Sequence, residues 1–215
     1  MAFDAGPPRD CPDCPRLAAF RAENRAAYPD WWNAPVPAFG EGGARVLIVG
    51  LAPGLRGANR TGRPFTGDYA GDLLYRTLIA FGFASGVYDR RPDDGLKLVD
   101  CAIVNAVRCV PPQNKPSPQE IATCRRYLTP AISAMSRLKV VLALGRIAHE
   151  SAVRALKLSP GKFPFGHGAR HPITPAVTLF DSYHCSRYNT NTGVLTPQMF
   201  RDVFARVRGQ LAVAR

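Results

Sequence analysis

The sequence predicts an α/β fold of three layers, with helices on both faces of a central sheet. Two observations carry this prediction. Four short apolar runs, at 45–49, 98–104, 139–144 and 177–180, are rich in β-branched residues, as strands covered on both faces are. Segments with helical periodicity alternate with them, and strand–helix alternation builds α/β/α layers. A third observation sets the scale. The chain has 215 residues and 46% hydrophobic content, enough for one domain with a sizeable core.

The helices follow in order. Segment 72–81 places Leu73, Leu74, Leu78 and Phe81 on one face. At 118–128, Ser117 stands as N-cap, Pro118 takes the first helical position, and Glu120 lies three residues after the cap. That is a capping box; Pro130 should end or kink the helix. A third helix spans 147–156. The last opens at Thr196-Pro197 and runs to 213, with Phe200, Val203, Phe204, Val207 and Leu211 on one face. The first forty residues differ, holding Cys11-Pro-Asp-Cys14, several prolines and Trp31-Trp32. They read as an N-terminal extension of a single domain, 1–215, pinned by something other than a sheet.

Lys plus Arg number 28 against 16 Asp plus Glu, a net charge of +12 with pI near 9.9. Such an excess points to a polyanion, because neutralising phosphates releases counterions. No apolar run reaches the ~18 residues of a membrane span. The N-terminus offers no apolar core for a signal peptide, so a cytoplasmic protein is expected.

Six cysteines stand at 11, 14, 101, 109, 124 and 185. In a cytoplasmic chain, paired spacing suggests metal before disulfide. Cys11 and Cys14 form one pair. Cys109 and Cys124, separated by a proline-rich loop leading into a helix, form a second. Four thiolates suit a zinc ion or an iron–sulfur cluster equally by spacing. Alternatively, Cys109 and Cys124 are apolar core residues. Cys101 lies inside an apolar strand and reads as core.

Residues 50–71, GLAPGLRGANRTGRPFTGDYAG, leave the first strand as a long glycine-rich, basic loop. Loops of this length inside compact domains are usually functional or disordered. This one has neither the Gly-Lys-Ser/Thr of a phosphate loop nor GxGxxG opening a helix. Ligands in open α/β sheets bind beyond the carboxyl ends of the strands. In a parallel sheet, Phe65, Asp68, Asn105 and His184 would converge at that edge. Phe65 offers a stacking face, Asn105 a paired donor and acceptor, His184 a donor to developing negative charge, and Asp68 a holder of water. Together they suit cleavage of a base from its sugar after the nucleotide is flipped. Plainer roles stand beside each: Asp68 as a helix cap, Phe65 as core, Asn105 as a partner for backbone groups.

Three stretches carry a resemblance to a known family. GLAPG followed by NRTGRPFTGD, then NAVRCVPPQNKPSPQEIATC, then SYHCSRYNTNTGVLT are similar to the motifs of the family 5 (B-type) uracil-DNA glycosylases. The resemblance implies a sandwich around a four-stranded parallel sheet. It implies that Cys11, Cys14, Cys109 and Cys124 hold a structural [4Fe-4S] cluster. It further implies that Phe65 stacks on the flipped base, Asn105 reads its edge, His184 stabilises the departing anion and Asp68 positions water. Gly50, Leu51, Ala52, Pro53 and Gly54 would surround the base with backbone donors. Arg60, Arg108, Ser186, Arg187, Tyr188 and Asn189 would meet DNA, with Tyr188 filling the gap left by the base.

Two departures stand out. The run after the first strand carries no polar side chain where other uracil-glycosylase families place Asp, Asn or Glu, a gap that family 5 shares. Cys185 stands where proline is common. The expected activity is release of uracil, and of other deaminated bases such as hypoxanthine, from single- or double-stranded DNA by a monomer. No motif lysine suggests a strand-cutting step. The alternative is an iron–sulfur DNA-binding module without activity.

Overall fold

The computed structural model describes residues 6–213. Its sheet has six strands in the order β1-β5-β2-β6-β8-β7. Four of them, β2 (Val46–Gly50), β5 (Cys101–Asn105), β6 (Val140–Leu144) and β8 (Thr178–Ser182), are mutually parallel and wholly buried. These are the four apolar runs of the sequence. The short edges β1 (Phe39–Gly40) and β7 (Arg170–Pro172) add antiparallel pairs. Their two and three residues are too short to show a period.

Alternate residues of the strands point to opposite faces, and each face meets its own pair of helices. Val46, Ile48, Ile103, Leu142 and Phe180 pack against α3 (Tyr69–Ala80) and α7 (Pro197–Val213). Leu47, Val49, Val104, Val141 and Leu179 pack against α4 (Pro118–Ser133) and α5 (Arg146–Ala155). This is the three-layer α/β/α arrangement expected. Full burial of each large apolar side chain contributes about 1.5–3 kcal/mol.

Several boundaries differ from the sequence reading. The run at 98–104 is two strands: Lys97–Leu98 (β4) pairs with Ala84–Ser85 (β3) in a separate hairpin, and β5 begins at Cys101. Asp100 breaks the run. It sits at φ +53 and its carboxylate takes the backbone N–H and Nε of Arg45 at 2.8 and 2.6 Å. Helix α4 has the predicted capping box but continues through Pro130. Beyond the proline, Ala131, Ile132 and Met135 are buried, which offsets the ~3 kcal/mol that an internal proline costs. Helix α1 (Pro15–Ala27) occupies the N-terminal segment, opening on Pro15 directly after Cys14. Short helices α2 (Ala58–Thr61) and α6 (Arg187–Asn191) sit within the two motif loops. No helix among the described residues is long and apolar enough to cross a membrane.

Candidate active site

Gly50 and Asn105 are register partners at the carboxyl ends of β2 and β5. That places the first two motifs side by side. The third leaves the end of β8 at the same edge, two strands away. Beyond the strand ends lies a cleft of about 870 Å³, lined among others by Leu51, Ala52, Gly54, Asp68, Tyr69 and His184.

The long loop is tied down. Arg63, buried, donates Nη1 and Nη2 to Asp94 at 2.8 and 2.7 Å and Nε to Thr66 Oγ1 at 2.7 Å. Its guanidinium also lies over the rings of Phe39 and Tyr75. Desolvation works to raise the Asp94 pKa, but hydrogen bonds from Arg63 and two backbone amides bring it down to about 2. Tyr75 Oη donates to the Pro64 carbonyl at 2.5 Å, and Tyr88 Oη to that of Phe65 at 3.2 Å. Paired charges and filled carbonyls fix the loop where a glycine-rich chain alone would wander.

Asp68 is the N-cap of α3. One carboxylate oxygen accepts the Gly71 amide at 3.2 Å. The other faces bare glycine: a Cβ on Gly54 or Gly57 would lie 3.1 or 2.5 Å from Oδ2. Capping and holding water are therefore compatible roles. Burial raises the Asp68 pKa above the ordinary carboxylate value. Across the cleft, burial pushes the His184 pKa down to about 4. Its ring is neutral near pH 7, a donor without the cost of a buried cation.

Phe65 and Asn105 are buried near the strand ends and do not themselves line the cleft. Phe65 is held at φ +54, and its ring lies 5.9 Å from that of His184 at 27°. Asn105 is buried, and its Oδ1 has no hydrogen-bond partner. A Cβ on Gly50 would lie 2.4 Å from that oxygen and 2.7 Å from Phe65 Cζ. Only glycine lets the ring and the amide meet here. An unpaired buried acceptor costs about 1–3 kcal/mol, and a ligand N–H would relieve it. Pro53 is buried and does not line the cleft.

The residues expected on DNA divide. Arg60, Arg187 and Tyr188 are exposed, Tyr188 at 74%. Ser186 Oγ caps α6 by accepting the Asn189 amide, and Asn189 Nδ2 donates to the His184 carbonyl at 2.8 Å. These two side chains brace the loop after β8 from within. Arg108 corrects the sequence reading. It is 1% exposed and donates Nη1 to the Val36 carbonyl at 3.1 Å, so it does not reach a phosphate. Several cleft residues escaped the sequence reading, among them Arg56, Tyr69, Arg90 and Asn114. Asn114 and Gln113 both have positive φ, 56 and 55. Asparagine tolerates that region, and the PPQN turn was the available signal.

The four expected cysteines line one small cavity with Leu17, Val107 and Tyr127. Arg21 Nη1 donates to Cys109 Sγ at 3.6 Å, the Arg108 amide to Cys124 Sγ at 3.3 Å, and the Tyr127 hydroxyl lies 3.8 Å from Cys11 Sγ. Burial raises the bare thiols of Cys14 to about 11 and Cys109 to about 12. Four sulfurs on one tetrahedral zinc, at ~2.3 Å each, would lie about 3.8 Å apart. Among the described residues, only His149, His171 and Asp181 form a group with all ligand atoms within 4.8 Å. The cysteines are more widely set. In the His/Asp group, His149 Nδ1 lies 2.7 Å from Asp181 Oδ1 and Nε2 2.8 Å from the Phe163 carbonyl, the lengths of ordinary hydrogen bonds.

A mostly parallel sheet whose carboxyl edge carries a carboxylate, a neutral imidazole and an unpaired amide oxygen is an α/β/α fold equipped for proton transfer and hydrogen bonding at a bound ligand. Comparison makes it particular. The model of the Uracil DNA glycosylase superfamily matches residues 37–208. The Type-5 uracil-DNA glycosylase of Thermus thermophilus is 43% identical over 203 residues, 92% of each chain. That of Mycobacterium bovis is 40% identical, covering 92% of this chain and 77% of its own. That of Pyrobaculum aerophilum is 36% identical, covering 92% and 87%. The chain belongs to the uracil-DNA glycosylase superfamily, and the family 5 resemblance of its three motifs is borne out.

Proposed function

We propose that this protein releases uracil from DNA by hydrolysis of the N-glycosidic bond, leaving free base and an abasic site. One observation carries the reading: the Asp68 carboxylate and the neutral ring of His184 line the same cleft. The flipped base would enter between them. Its ring would lie on Phe65, and an N–H of its edge would meet Asn105 Oδ1. As the C1′–N bond breaks, the electron pair leaves with the base, and His184 donates to the oxygen that gains the charge. A water held by Asp68 Oδ2 adds to C1′ and gives its proton to the carboxylate.

The same site supports a wider range of bases. The cleft, about 870 Å³, lies at the upper end of ordinary pockets, ~300–1,000 Å³, with room for a purine such as hypoxanthine. Arg187 and Arg60, both exposed, would meet phosphates, and Tyr188 would fill the gap in the strand.

Cys11, Cys14, Cys109 and Cys124 would hold a [4Fe-4S] cluster. Their spacing is wider than one zinc requires, and N–H donors already point at two of the sulfurs, as cluster ligands need. The bound cluster would supply a covalent tie between the N-terminal segment and the β5–α4 connection.

The test uses matched oligonucleotides carrying uracil or hypoxanthine, in single and double strands. Wild type should leave abasic sites, and Asp68→Asn should bind but release base far more slowly. Binding with no release from any substrate would leave the iron–sulfur DNA-binding module instead.

A further inference from the structure

The chain has two tryptophans, and neither is in the core. Both line a second cavity of about 520 Å³, with Arg9, Arg60, Arg90 and Arg91 around it. Trp32 is 37% exposed. Trp31 is braced by Tyr28, ring on ring at 4.0 Å and 8°. The segment is fixed to the long loop: the Trp32 and Asn33 amides donate to the carbonyls of Arg60 and Asn59, both at 3.0 Å. Large exposed aromatic rings in a basic setting mark a binding surface.

Its position tells what binds. Arg90 lines both this cavity and the cleft. Helix α2 joins them too: Arg56 and Gly57, just before it, line the cleft, while Arg60 and Thr61 line the second cavity. Four helical residues span about 6 Å, close to one nucleotide step. Arg60 has no acidic partner among the described residues, and a Cβ on Gly67 would lie 3.4 Å from its Nη2, so its guanidinium stands at the divide. Of the charges here, Arg90 is paired with Asp72 and Arg91 lies beside Asp89 and Asp93, which leaves Arg9 and Arg60 against Asp30. A strand leaving the cleft would pass its phosphate over Arg60 and set its next base against an indole.

Resting on the glycosylase reading, we infer that the Trp31–Trp32 cavity is a subsite for an unpaired nucleobase flanking the target. Only a base free of its partner can stack there, so the subsite favours single-stranded DNA over duplex. Stacking on aromatic rings is tolerant of sequence, and no particular neighbour is selected.

Both tryptophans lie in the cavity, so all tryptophan emission reports on it. The full-length protein is titrated with oligothymidine, which contains no uracil. The subsite predicts quenching of the emission. It predicts that Trp31→Ala weakens oligothymidine binding about five- to tenfold or more, while Trp31→Phe stays within about twofold. Uracil release by Trp31→Ala should slow on a single strand at sub-saturating substrate. Release from a fully paired duplex should stay within about twofold. Absence of quenching overturns the inference, as does equal weakening on single strands and duplex. The titration needs no catalysis, so it remains readable if the glycosylase reading fails.

Discussion

Asp68 and Gly57 share a space that only one side chain can fill: a Cβ on Gly57 would lie 2.5 Å from Asp68 Oδ2 and 2.8 Å from its Cβ. The glycine thus sets where the free carboxylate oxygen points. Gly57→Ala should displace that oxygen and lower the single-turnover rate about a hundredfold, since a 1 Å misplacement costs on that order. DNA affinity should hold. An unchanged rate would show that the water is held elsewhere.

Asp68→Asn separates the two roles of the side chain. Asparagine caps helices as well as aspartate does, so α3 should remain intact. Release of base should fall ~10²–10⁴-fold, the range for losing a general base. The folded pKa of Asp68 is raised by burial, so the wild-type carboxylate costs stability once pH rises through that value. The Tm of Asp68→Asn at pH 7 should therefore be equal to or above wild type. A lower Tm together with full activity would make Asp68 a cap and nothing more.

The pH profile follows from the same groups. Asp68 must be ionised to accept a proton, so kcat/KM should rise with pH through its raised pKa and then level. His184, at about 4, should add no loss near pH 6.5. The sign for stability is opposite to that of Asp68. The His184 pKa is depressed on folding, so its contribution is present above about 6.5 and is lost as pH falls towards about 4. His184→Gln should flatten the acid-side decline of Tm between those values while slowing release. A pH–rate limb centred near 6.5 that vanishes in His184→Gln would show a charged imidazole at work.

The loop anchor gives a stability prediction. Arg63→Ala leaves Asp94, whose side chain is 0% exposed, without its partner. A buried carboxylate so exposed to its own desolvation costs about 3–5 kcal/mol. Denaturant unfolding should show the loss, and activity should fall with it because Phe65 and Asp68 lie on the released loop. Arg63→Met combined with Asp94→Leu should recover most of the stability.

The cysteine cavity is tested by composition and colour. Anaerobically purified protein should be brown and carry about four irons and four sulfides per chain. Cys124→Ser should lose the colour and lower Tm. A colourless protein with one zinc per chain would overturn the cluster.

Much of this architecture is legible in the sequence because β2, β5, β6 and β8 are buried on both faces and must be apolar throughout. The capping box at Ser117 and Glu120 is equally local. Asp68, Phe65, Asn105 and His184 are legible because each leaves a strand end in a motif. What escaped depends on distant partners. Nothing beside Arg108 in the chain announces that Val36 will take its guanidinium. The hydrogen bonds by which Ser186 and Asn189 brace α6 and the His184 loop are likewise unannounced by the motif itself. Phe39–Gly40 and Arg170–Pro172 become strands only because a finished neighbour offers them an edge.

Arg63, Tyr75 and Tyr88 hold the long loop before any nucleotide arrives. The ordering of that loop is settled during folding, and encounter with DNA leaves little of it to complete. Choice among lesions then shifts to the nucleic acid. The nucleotide must still leave its stack, and a weakly paired or mismatched base does so at lower cost. A preformed receptor of this kind finds its targets by the looseness of the helix around them.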